Sequence, residues 1–239
     1  MSNFLNKMLG LIFLSVFVSS TPGLMAAEYD KTIHGSSSYW YGVCPNITQV
    51  VVRIYNKLIE ANRLQSFVTS APQMNINVNC VRLSTKTQGT GVFGKSTIEV
   101  APFDISLAQS DDEIAYVIAH EITHVIKFHS GISSEEKKRD ELEADQNAVH
   151  LVVKAGYNPN AGPNLIYKVN ESRKVFHRIS GFVVKDLDIP EYGTTENRVS
   201  RMKDEIARLN LPSNKPFITS PDLILAKKEF SELKKRLNF

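Results

Sequence analysis

AHEITHVIKFH, residues 119–129, is the stretch on which the reading of this chain depends, because it sets His120, Glu121 and His124 in the order H-E-x-x-H. On a helix, His120 and His124 stand one turn apart on the same face, so both imidazoles can reach one metal ion. Glu121 is displaced round the helix, where its carboxylate addresses a water held by such an ion. A random chain of this length carries the motif about 1% of the time. The pattern therefore needs a third ligand before it carries chemistry.

The helix is marked at both ends. Ser110-Asp111-Asp112-Glu113 reads as a capping box with acids in the first turn, and Gly131 reads as the stop. Ser133-Ser134-Glu135-Glu136 opens a second helix that runs through Ala155 to Gly156, with Pro159 just beyond. With a turn between Ser130 and Ser134 and antiparallel packing, His124 and Glu141 stand about 9 and about 10.5 Å from the turn, nearly level. His120 and Asp145 stand at about 15 and about 16.5 Å, again level. Glu141 can thus complete a His₂Glu set that leaves zinc's fourth position open for water. Asp145 can accept the free ring N–H of His120 and fix its tautomer. Ala144 is small and lets the helices approach closely.

Upstream, Ile47, Val50, Val51, Ile54, Leu58 and Ile59 recur at the three-and-four spacing of an amphipathic helix. Residues 75–83, NINVNCVRL, alternate Ile76, Val78 and Cys80 and read as a strand. The glycine-rich TKTQGTGVFGKSTIEVAP that follows carries a second short strand over Thr97 to Val100. Downstream the chain reads as mostly helical, broken at Pro190, from Pro212 to Pro216 and at Pro221, with an amphipathic segment from Leu223 to Leu237. The expected class is α+β, mostly helical, with a small sheet and a long helix that carries the motif.

Residues 1–27 order a single charge (Lys7), an apolar run from Met8 to Val18, and small residues at Ala26-Ala27, the layout of a secretory signal peptide. The apolar run is too short to cross about 30 Å of hydrocarbon. Glu28 to Gly42, with Tyr39-Trp40-Tyr41, reads as an irregular arm, and 28–46 is taken as an N-terminal arm. Cys44 and Cys80 are the only cysteines of the 239 residues. In an exported chain such a pair reads as a disulfide, two buried thiols being the alternative. The net charge of +3 leaves no nucleic-acid footprint. Lys227-Lys228 and Lys234-Lys235-Arg236 alternate with apolar residues and read as a solvated helix face, contact with an anionic surface being the alternative.

E-x-x-A-D downstream of H-E-x-x-H, here Glu141 to Asp145, resembles the HtpX and CaaX-prenyl-protease type of zinc metallopeptidase, peptidase family M forty-eight. The likeness runs from about Ile47 to Met202 and includes DDEIAYVIAHEITHVIKFH, the ELEAD block and KAGYNP. With a signal peptide and no membrane-spanning segments, the chain looks most like the periplasmic BepA and LoiP branch. The resemblance implies a zincin-like domain over 47–210, followed by a linker and amphipathic helix over 211–239. It implies one zinc ion held by His120, His124 and Glu141, Glu121 as catalytic base, and Asp145 behind the ligands. The family's downstream T-H-P…R corresponds to Tyr192-Gly193-Thr194-Thr195-Glu196-Asn197-Arg198, with Tyr192 in the place of the His. Spacing alone makes Tyr192 and Arg198 surface residues. The resemblance makes Tyr192 a donor to the developing oxyanion, and Arg198 a residue that holds the loop or meets substrate.

The expected activity is zinc-dependent hydrolysis of peptide bonds in unfolded or misassembled envelope proteins, bound as extended chains along an edge strand near Gly91 to Val100. An envelope assembly or chaperone-like factor with a structural zinc site is the alternative. His129, five positions after His124, reads as a helix-end cation past the metal face. His150 reads as packed or solvent-facing, and His34 and His177 have no evident partner.

Overall fold

The computed structural model describes residues 44–69, 73–78, 80, 88–92, 95–129, 133–180, 194–211 and 215–236. The expected signal peptide, most of the expected arm with His34, and Tyr192 lie outside these residues.

Helix α1 (Pro45–Ala61) starts on Pro45, whose missing N–H costs nothing in a first turn, where donors have no intrahelical partner. The expected stripe of Ile47, Val50, Val51, Ile54, Leu58 and Ile59 is buried, and so are Thr48, Val52 and Tyr55. The burial is wider than one face because several elements cover α1: the sheet, the motif helix and the C-terminal helix. Cys44, which precedes α1, is disulfide-bonded to Cys80, 36 positions on. Closing a loop of that size stabilises the fold by about 3–4 kcal/mol in the chain-entropy account.

After the short α2 (Gln65–Thr69) comes a mixed three-stranded sheet of β1 (Gln73–Val78), β2 (Gln88–Val92) and β3 (Lys95–Val100). The order is β1-β3-β2, with β3 parallel to β1 from Gln73↔Lys95 to Val78↔Val100 and antiparallel to β2 from Gln88↔Glu99 to Val92↔Lys95. Met74, Ile76 and Val78 are buried on β1, and Ser96, Ile98 and Val100 on β3. The period-two reading thus holds, but the first strand ends at Val78 and Cys80 sits in a turn. The glycine-rich β2 was not expected as a strand, since glycine packs no side chain and masks the alternation. It divides the stretch expected to form an edge strand, since Gly91 and Val92 lie on β2. Lys95–Val100 is the central strand, its ladder taken on both sides, so among these strands only β1 and β2 are edges.

A short α3 (Pro102–Leu107) leads into α4 (Asp111–Ile126), the motif helix, and α5 (Ser134–Lys154) packs against it. Ala144 and Ala148 are fully buried, as close helix packing needs. The capping box belongs to α5, where Ser133 accepts from the Glu136 N–H and Glu136 accepts from the Ser133 N–H. On α4 the return bond shifts by one residue: Ser110 accepts from the Glu113 N–H, while Glu113 accepts from the Gln109 N–H. The first-turn acids of α4 do more than complement its dipole. Asp112 accepts from the Asn158 and Ile218 N–H groups, and Asp111 meets Arg53 at 2.8 Å and the Ser220 hydroxyl at 2.9 Å. Both carboxylates are buried and hold the segment 215–220 against the start of the motif helix.

Helices α6 (Ala161–Ser180), α7 (Thr195–Arg208) and α8 (Pro221–Arg236) complete the described chain. The C-terminal helix is packed into the same body, against α1 and α3. Glu229 accepts from the Ile47 N–H, and Lys227 donates to the Ala108 carbonyl at the end of α3. Lys228, Lys234, Lys235 and Arg236 are exposed, the solvated face that was expected. The architecture is α+β and mostly helical. No helix among the described residues is long and apolar enough to cross a membrane.

Candidate metal centre

The antiparallel packing of α4 and α5 brings His120, His124 and Glu141 together. The Nε2 atoms of His120 and His124 stand 3.1 Å apart, and Glu141 places Oε2 3.3 Å from the first and Oε1 3.5 Å from the second. Ligand atoms about 2.1 Å from one tetrahedral centre stand about 3.4 Å apart. The observed triangle has that size, and two imidazoles with a carboxylate are a donor set for a divalent metal. This group could hold a metal ion.

Asp145, one turn further along α5, is fully buried. Its Oδ1 lies 3.0 Å from His120 Nδ1 and is approached obliquely, off the line of the ring N–H. Arg198 from α7 grips the same carboxylate with two prongs, Nε to Oδ2 at 2.6 Å and Nη2 to Oδ1 at 2.8 Å. The Tyr116 hydroxyl donates to Oδ1 at 2.5 Å. Arg198 also lies 3.3 Å from Glu141 Oε2. It was expected to hold a loop or to meet substrate. The structure puts its guanidinium between the two carboxylates, where α7 packs on α5.

The electrostatics follow from two carboxylates facing one guanidinium. Burial opposes the charge on Glu141, but contact with His120 and the charge of Arg198 outweigh it and lower its pKa to about 2. Burial acts to lower the His120 pKa, yet the Asp145 and Glu141 carboxylates close to its ring raise it to about 10. Burial, then the neighbouring His120 charge, lower His124 to about 3. Asp145 is held below the usual carboxylate range: burial acts upward, and Arg198 more than offsets it. Without metal, a proton on His120 neutralises the residual negative charge. A divalent cation would take its place and leave both rings neutral.

Glu121 lies between His120 and His124 in sequence and is buried. His129 corrects the expectation of a cation past the metal face. Its Nδ1 lies 3.0 Å from His124 Nδ1, and its Nε2 lies 3.4 Å from Glu143 Oε2. Five residues along a continuous helix would point it elsewhere, but α4 stops at Ile126, short of the expected Gly131. The Phe128 N–H bonds the Val125 carbonyl and the His129 N–H bonds that of His124, a Schellman closure with Phe128 at φ 54°. That turn folds His129 back behind His124.

Tyr116 was missed, though its place one turn before His120 was a usable signal. Nothing in the sequence pointed to Gly162 on α6, where a Cβ would overlap the Tyr116 ring. His150 is part-exposed and meets Glu205 at 2.8 Å, away from the metal triad. His177 lies on α6. No protein-family model matches the chain, and neither does any curated protein. What the fold and site define is an α+β domain with a possible two-histidine, one-carboxylate metal centre and one disulfide.

Proposed function

We propose that the protein is a zinc-dependent endopeptidase of an oxidising, exported compartment such as the periplasm, with a zincin-like catalytic domain. The observation that carries this reading is the His120–His124–Glu141 triangle beside Glu121, in the register that H-E-x-x-H and E-x-x-A-D require. The resemblance of those motifs to the HtpX and CaaX-prenyl-protease type supports it, and the Cys44–Cys80 disulfide supports the compartment. His120, His124 and Glu141 would hold a zinc ion, which would supply Lewis acidity toward a peptide carbonyl and acidify a water. Glu121 takes a proton from the attacking water and delivers it to the leaving amine nitrogen. His120 and His124 present neutral Nε2 atoms, while Asp145 fixes the His120 tautomer and Arg198 sets the two carboxylates. An unfolded polypeptide adds as a strand on an outer edge of the sheet. We favour β2, which packs near α4.

The test compares metal content and casein cleavage for wild type and Glu121→Gln. The variant should keep one zinc per chain and lose cleavage, since it removes the base and no ligand. Glu141→Ala should lose the metal. Wild-type cleavage by Glu121→Gln would sink the mechanism. A Glu121→Gln protein that loses casein cleavage but keeps its effect on envelope assembly would favour the chaperone-like alternative.

A further inference from the structure

His124 has a support chain of its own, separate from the one behind His120. A neutral imidazole carries one N–H. If His124 binds a metal through Nε2, its proton is on Nδ1, and the atom 3.0 Å from Nδ1 is His129 Nδ1. Two ring nitrogens at that distance need one donor and one acceptor, so His129 accepts there and carries its own proton on Nε2. The atom facing that Nε2 is Glu143 Oε2, at 3.4 Å. Each assignment forces the next.

The geometry around this chain is built. The His129 side chain is only 7% exposed, although it lies beyond the end of its helix. Phe128 holds the left-handed conformation and is itself 64% exposed. A bulky residue in that region costs about 1–2 kcal/mol, and Phe128 shows little burial in return. What the turn achieves is to bring His129 under His124. Glu143 stands two residues after Glu141 on α5 and is held from its other oxygen by Lys127 at 2.8 Å.

We infer that His129 is a positioning residue for His124: it accepts the His124 Nδ1–H and donates its Nε2–H to Glu143. A second carboxylate thus backs the metal centre through an intervening ring. This rests on the metal-site reading above and adds to it a residue pair that the ligand motifs do not contain.

The test measures zinc affinity of the full, disulfide-bonded chain by competition with a chromophoric chelator, together with thermal unfolding of the metal-free forms. His129→Leu fills the space and removes the acceptor. His129→Asn keeps an oxygen where Nδ1 stands. Losing an outer-shell partner costs about 10- to 100-fold in metal affinity, so His129→Leu should fall in that range. His129→Asn should stay within about threefold of wild type, and Glu143→Gln between the two. A purely structural role would move the metal-free melting temperatures and treat Leu and Asn alike. Wild-type affinity in His129→Leu, or equal losses for Leu and Asn, overturns the inference while the metal site stands. A wild-type chain that binds no zinc ends the metal-site reading, and this inference with it.

Discussion

His120 and His124 are the same residue type, one turn apart on one helix, yet different surroundings hold them. Behind His120 stands Asp145, fully buried, with Tyr116 and both prongs of Arg198 on its oxygens. Behind His124 stands another imidazole, and behind that Glu143, with 39% of its side chain exposed. The inner support is charge held in a dry place, strong only while complete. The outer support is a chain of weaker contacts screened by solvent. One helix face therefore carries two candidate ligands, one backed by a buried ion pair and one by a part-exposed chain.

Deleting the carboxylate on each side puts the comparison at risk. Asp145→Ala takes both prongs of Arg198 off their carboxylate and leaves the buried guanidinium only its 3.3 Å contact with Glu141, and breaking such a pair costs about 3–5 kcal/mol. Glu143→Ala removes a half-exposed acid and should cost less than about 1 kcal/mol. Urea unfolding of the two metal-free variants measures both, and equal losses would erase the distinction.

A second difference lies in packing. Gly162 leaves room for the Tyr116 ring. Gly162→Ala should overpack that contact, cost about 1–3 kcal/mol, and weaken zinc binding as the Tyr116 hydroxyl moves off Asp145. Zinc titration and unfolding of this variant should change together. Stability lost with zinc affinity intact would show that Tyr116 packs without positioning Asp145.

The pH response separates the two rings further. In the metal-free protein the His120 pKa is raised from 6.5 to about 10, burial acting against the shift and Asp145 and Glu141 overcoming it. The stability it contributes is complete below about pH 6.5 and is lost as the pH rises toward about 10. His124, depressed to about 3 by burial and by its neighbour's charge, is already neutral in this window. Metal-free unfolding free energy should fall from pH 6.5 to pH 10, while zinc affinity rises as the proton is displaced. A flat affinity profile would show that no such proton is present.

The smallest effect sharpens the outer half. Phe128→Gly relieves the left-handed backbone and should stabilise by about 1 kcal/mol, with zinc affinity unchanged because the closure persists. A loss of affinity would mean that the phenylalanine itself, and not the turn, aims His129.

Much of this arrangement could be read locally. The α4 and α5 starts, the Gly156 stop, the burial stripe of α1 and the level of Glu141 and Asp145 all follow from helical spacing. So does the metal triangle, because two antiparallel helices about a short turn leave one register that aligns them. The β2 strand was hidden by its glycines. Arg198 was assigned to a loop or to substrate, since nothing local says that α7 packs on α5. The His129 error has a different source. A helix read as running to Gly131 carries residue 129 round to another face, and its earlier stop at Ile126 reverses that.

The sequence by itself determined the chemistry at hand: which side chains could donate to a metal, on which helices and at which heights. Periodicity and capping are short-range, and a turn of helix converts spacing into position without help from the rest of the chain. Only the tertiary structure decided which groups stand behind those donors. Arg198 reaches Asp145 across 53 positions, Tyr116 across 29, and Gly162 fits the Tyr116 ring from a separate helix. Such contacts are fixed by how whole elements pack, and a buried charge finds its partner only once that packing has excluded water.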